Sequence, residues 1–132
     1  MSSQVDVVRQ SFAAICAWDI DALIELYAPD VEFLPLTGTR VESGGYHGHK
    51  GVRDYFEEVG AVWETMQPHA DDVRTVGDDV VVLGGCAVRG RGSGAESDAP
   101  MAWVITVQDG KVTRHRGFET RDEALEAVGL SE

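Results

Sequence analysis

The stretch MAWVITVQDGKVTRHRGFE, residues 101–119, decides the reading of the fold. Two runs rich in β-branched and apolar residues, Met101–Gln108 and Val112–Glu119, flank Asp109-Gly110. Asp-Gly between two such runs is a strong hairpin signal. Side chains alternate along a strand, so Thr113, His115, Gly117 and Glu119 share one face of the second run. Arg114, Arg116 and Phe118 share the other. Two arginines suit a core poorly, so the His115 face is read as inward. On the preceding strand Met101, Trp103, Ile105 and Val107 form the more apolar face.

Working upstream, Asp71–Val76 and Val80–Arg89 also read as strands, split by Gly77-Asp78-Asp79 and followed by a Gly/Ser/Asp-rich loop over residues 90–99. The N-terminal half changes period. Val5, Val8, Phe12 and Ile15 lie at helical spacing, and Asp19 can cap a second helix carrying Ile20, Leu23, Ile24 and Tyr27. Pro29 is read as its end, and Val31–Leu36 as a short strand. Residues 37–51 are glycine-rich, aperiodic and read as a loop. A third helix places Val52, Phe56, Val59, Trp63 and Met66 on one face, with Pro68 marking its end. Downstream, Thr120-Arg121-Asp122-Glu123 is a capping box opening a last helix that stops at Gly129. The order α-α-β-α-β-β-β-β-α, with helices early and an antiparallel meander late, predicts one α+β domain over residues 1–132.

The 132 residues suffice for a buried core without staples. The net charge of −12 excludes the basic surfaces that attract nucleic acid or anionic membrane. No run approaches the roughly 18 apolar residues of a membrane span, and no basic-then-apolar leader opens the chain, so a cytoplasmic protein is expected. Cys16 and Cys86 form no Cys-x-x-Cys pair and are read as small buried hydrophobes. The three tryptophans, Trp18, Trp63 and Trp103, are expected in the core.

Four segments in order resemble the nuclear transport factor two-like superfamily, in its SnoaL-like and ketosteroid-isomerase-like branches. They are Trp18–Leu23, Tyr27–Phe33, Tyr46–Val52, and the ending from Asp109-Gly110-Lys111-Val112 through Glu123–Leu130. The resemblance covers nearly the whole chain. It implies a strongly curved sheet closed by helices into a cone, an internal ligand site, and a homodimer formed through the outer sheet face. It also marks what is missing. The ketosteroid isomerases' base position falls at Pro35, their tyrosine at Ser11, and their protonated acid near Met101 or Trp103. The epoxide-hydrolase triad falls at Gly85, Ala87 and Gly117, with its water-holding pair at Pro35 and Phe33. The SnoaL cyclases' acidic residue falls at or near Gly117.

The expected pocket wall is then Phe33 and Pro35 from the first strand, Tyr55 or Trp63 from the third helix, Gly85, Ala87 and Arg89, Met101 and Trp103, and His115 and Gly117. The small residues at Gly85, Ala87 and Gly117 are read as making room for a ligand, the alternative being that they only let the sheet bend. His115 is the candidate for chemistry, because an imidazole against an apolar wall titrates near neutral pH. Its alternative is a core histidine satisfied by one hydrogen bond. Glu119 is the candidate to orient it, and Arg89 or Tyr55 the candidate to meet an oxyanion. His47-x-His49 has metal-ligand spacing but no clear third ligand, so no metal and no cofactor are expected. The implied partner is a hydrophobic ring-bearing molecule, either converted by cofactor-free proton transfer or bound by a non-catalytic domain.

Overall fold

In the computed structural model of the protein, which describes residues 3–36, 40 and 42–130, the chain opens on α1 (Gln4–Cys16). Ser3 and Asp6 cap it reciprocally, each side chain accepting from the other's backbone N–H. The helix buries Val8, Phe12 and Ile15, as its spacing predicts, while Val5 stays half-buried. Asp19 caps α2 (Ile20–Glu25) by accepting from the Ala22 N–H at 3.2 Å.

The first correction comes at Tyr27. It was expected on the second helix, but α2 stops at Glu25 and β1 (Tyr27–Leu34) begins at once. Tyr27 pairs in parallel with Val112, a partner 85 residues away that no local pattern announces. The glycine-rich stretch also holds more structure than a loop. Tyr46 and His47 form β2 (Tyr46–His47), pairing with Phe33 and Glu32. Residues 37–39 and 41 of the expected loop lie outside the described residues.

α3 (Gly48–Val62) starts earlier than the periodicity suggests and ends four residues sooner. Trp63 and Met66 belong instead to β3 (Trp63–Val76), and Pro68 lies inside that strand rather than ending a helix. β3 is an edge strand, where a residue without an N–H is tolerated because nothing pairs on its outer side. Then follow β4 (Asp79–Gly90), β5 (Glu96–Gln108), β6 (Lys111–Phe118) and α4 (Arg121–Ala127). The 90–99 loop is correspondingly shorter than expected, since β5 already pairs with β4 from Glu96.

The six strands form one curved, unclosed sheet in the order β2-β1-β6-β5-β4-β3, antiparallel except at β1–β6. The α1–α3 helices cover its inner face, where the larger core gathers Leu23, Tyr27, Phe33, Val52, Phe56 and Ile105. A second core lies on the outer face. There Ala124 and Leu125 of α4 cover Val81, Leu83, Ala102 and Val104. Both faces of β4 and β5 are therefore buried near α4, and alternation is lost there.

That loss produced the second correction. Val82 pairs with Trp103, and Cys86 with Ala99, so Val80, Val82, Cys86 and Val88 face inward. Gly85, Ala87 and Arg89 face outward, opposite to the expectation. A one-residue change of phase moves every side chain to the other face, and Val80-Val81-Val82-Leu83 offers no polar residue to set the phase. Arg114 and Arg116 do lie on the outer side, and His115 on the inner one.

Two expected core residues are at the surface. Cys16 is exposed, its thiol 3.5 Å from the Pro68 carbonyl, because it ends α1 beyond the buried stripe. Trp18 is 37% exposed, turned out by a left-handed backbone (φ 56°) in the α1–α2 connection.

Candidate functional site

The inner face carries an apolar cavity of about 210 Å³. Phe12 and Ile15 of α1, Tyr55 and Phe56 of α3, and Phe33 of β1 form one side. Trp63 and Met66 of β3, Cys86 of β4, and Met101 and Trp103 of β5 form the other, with His115 of β6 in the wall. Pro35 lines it just after β1. No acidic residue, lysine or arginine is among the lining residues.

Of the residues expected at the site, Phe33, Pro35, Tyr55, Trp63, Met101, Trp103 and His115 are brought together here. Trp63 and Met66 arrive from a strand rather than from the helix. Ala87 and Arg89 are not at the cavity. They line an outer-face groove, where the Arg89 guanidinium lies 3.4 Å from Glu64 and 3.8 Å from Glu96. Arg89 therefore has no access to an internal oxyanion. Gly117 is on the inner face but makes no empty space: a Cβ there would come 3.1 Å from Met101 Cε. At Gly85 the outward space is taken by the His69 ring, whose Nε2 would lie 2.8 Å from a Cβ. The cavity thus lies among side chains from seven elements and is not opened by Gly85, Ala87 or Gly117.

His115 is 5% exposed. Its ring stacks on Phe33, with centroids 4.5 Å apart and planes 22° from parallel. Burial alone pushes its pKa down to about 3, so the ring is neutral at neutral pH. Its partner is not Glu119, which is exposed and lines the outer face. It is Tyr27, whose hydroxyl lies 3.5 Å from His115 Nδ1. Tyr27 is itself 2% exposed, and desolvation raises its pKa, so the phenol keeps its proton. His49 Nε2 lies 2.8 Å from the Tyr27 carbonyl and holds that backbone from the start of α3. Tyr27 went unnoticed in the sequence because it sits seven residues after Ile20, where it completes a helical stripe.

A larger cleft of about 570 Å³ lies on the outer face, more open to solvent and edged by His69, Asp71, Asp98, Glu119 and Asp122. His69 reaches across Gly85 so that its two ring nitrogens lie 3.0 Å from Asp98 and from Asp71. These carboxylates raise its pKa. The inner cavity, by contrast, is lined largely by apolar and aromatic side chains. Among the described residues no cluster of His, Cys, Asp and Glu could hold a metal ion, and His47-x-His49 is divided between a helix cap and the Tyr27 contact. Among the described residues no helix is long and apolar enough to cross a membrane.

A curved sheet wrapped by helices around an apolar cavity defines a nuclear transport factor two-like protein. RV0760c of Mycobacterium tuberculosis, solved with estradiol-17beta-hemisuccinate, shares this fold with a TM-score of 0.76 at 19% identity, over 92% of this chain and 97% of that one. TerC, co-crystallized with polyporic acid, superposes with a TM-score of 0.77 at 25% identity, over 96% and 98%. The uncharacterized protein Rv0034 of Mycobacterium tuberculosis is 30% identical over 127 residues, 95% of each chain. The SnoaL-like domain matches residues 8–115. The chain belongs to the SnoaL-like family.

Proposed function

We propose that this protein binds a neutral, ring-bearing hydrophobic molecule in the inner cavity, with His115 as its polar contact. The observation that carries this reading is a wall of aromatic and thioether side chains containing a single neutral imidazole and no charged group. TerC's co-crystallization with polyporic acid supports a small-molecule ligand in a cavity of this fold. A thermal-shift screen with polycyclic ketones and terpenoids, with aromatic acids as charged controls, tests it. A ligand at about 100 times its dissociation constant adds about 2.7 kcal/mol, which moves the midpoint by several degrees. Ala99 is exposed at the cavity's edge, and Ala99→Trp should abolish the shift without unfolding the protein. A panel without hits, or a shift that survives Ala99→Trp, refutes the reading.

A second reading is cofactor-free proton transfer, an isomerisation, cyclisation or dehydration with His115 as base. Its motivation is that the ring is unprotonated at neutral pH. A pKa near 3 makes it a weak base, which favours binding over turnover. His115→Gln abolishing turnover of a bound compound would support catalysis, and undiminished turnover would reject that role. The assembly we propose is a homodimer through the part of the outer sheet face that α4 leaves open, as the fold resemblance suggests. Sedimentation showing a monomer at high micromolar concentration would exclude it.

A further inference from the structure

The cavity's imidazole has two nitrogens, and the surrounding groups treat them differently. Nδ1 faces the Tyr27 hydroxyl at 3.5 Å. Nε2 has no hydrogen-bond partner among the described residues, on a ring that lines the cavity. Tyr27 is almost wholly sealed, and Nδ1 is the acceptor that the described residues offer its hydroxyl proton. A buried O–H without an acceptor is costly, and a phenol is a better donor than acceptor. If Nδ1 carried the proton, the Tyr27 hydroxyl hydrogen would lose this acceptor. If the phenol donates to Nδ1, both groups are satisfied and the imidazole proton must sit on Nε2, because the ring is neutral. The ring cannot turn over freely to reverse this, since it is stacked on Phe33. Tyr27 is held in turn by the contact of His49 with its carbonyl.

We propose that Tyr27 is a positioning residue that fixes His115 as the Nε2–H tautomer, so that the ring presents a hydrogen-bond donor to the cavity and selects a neutral ring-bearing ligand with a carbonyl-type acceptor. The tautomer follows from the Tyr27 contact and the ring's burial; the ligand class rests on the binding reading above. It also makes the ring a donor rather than a proton acceptor on its cavity side.

Two measurements on the full chain test this separately. In ¹⁵N-resolved NMR of the ligand-free protein, His115 Nδ1 should carry the shift of an unprotonated ring nitrogen and Nε2 that of an N–H. In Tyr27→Phe that preference should collapse toward a mixture. The wild-type spectrum showing a protonated Nδ1, or Tyr27→Phe leaving the tautomer unchanged, overturns the assignment. The ligand class is read with two bicyclic probes of similar size, 1-indanone, which only accepts, and indole, which only donates. Wild type should bind 1-indanone about fivefold more tightly, the difference expected for one net hydrogen bond, and Tyr27→Phe should lose that preference. Equal or reversed preference overturns the ligand class. If neither probe binds, the binding reading is what fails, while the spectrum still decides the tautomer.

Discussion

His115 in the cavity wall and Tyr27 beside it differ in how far the chain's local pattern reveals them. His115 alternates with two arginines on a strand, so its inward direction was legible. Its partner was not, because the contact joins β1 to β6 across 88 positions. The same burial has a consequence for stability. The folded ring resists protonation down to about pH 3, whereas an unfolded histidine titrates near 6.5. The stabilisation is therefore complete above about pH 6.5 and declines as pH falls toward 3. In that window His115 costs about 1.4 kcal/mol per pH unit relative to a residue that does not titrate. Denaturant unfolding of wild type and His115→Gln at pH 7, 6 and 5 should show the wild-type advantage shrinking below pH 6.5. Parallel pH dependences would mean that the ring takes up a proton freely in the folded state.

Elements were legible in proportion to how local their signals are. The capping box at Thr120 is such a signal, and the structure has it: Thr120 accepts from the Glu123 N–H at 3.2 Å, and Glu123 accepts from the Thr120 N–H. α4 also covers the outer core, so weakening its start should be felt beyond the helix. Thr120→Ala should lower stability by about 1 kcal/mol, seen as a lower denaturant midpoint with an unchanged slope. An unchanged midpoint would show that packing of Ala124 and Leu125 holds α4 by itself. The boundary between α3 and β3 was misplaced for the opposite reason. Trp63 and Met66 fit a helical stripe equally well, and only pairing of β3 with β4 from Gly90 onward makes them strand residues. Trp63 and Met66 line the cavity from this strand.

At the scale of the whole molecule the acidic balance bears on stability as well as on partners. Ion pairs such as Arg53–Asp21 and Arg114–Glu32 are solvent-exposed and contribute little each. The excess of negative charge repels itself in the folded state. Raising salt from about 0.01 to 0.15 M shortens the screening length from about 30 to 8 Å. The thermal midpoint should therefore rise, by roughly 2–4 °C, where 1 kcal/mol shifts a domain of this size by a few degrees. A midpoint that falls would mean that the ion pairs outweigh the repulsion. Composition, periodicity and caps by themselves determined the α+β class, the order of the main elements, the family resemblance, and the inward face of β5 and β6. These follow from patterns within ten or so residues, where alternation or helical spacing distinguishes a buried face from a wet one. Tertiary structure alone decided the phase of β4, the strand identity of Tyr27, and the room in the cavity. In each case the deciding contact lies far along the chain: α4 burying the outer face, Val112 pairing with Tyr27, and aromatic side chains from separate elements leaving space between them.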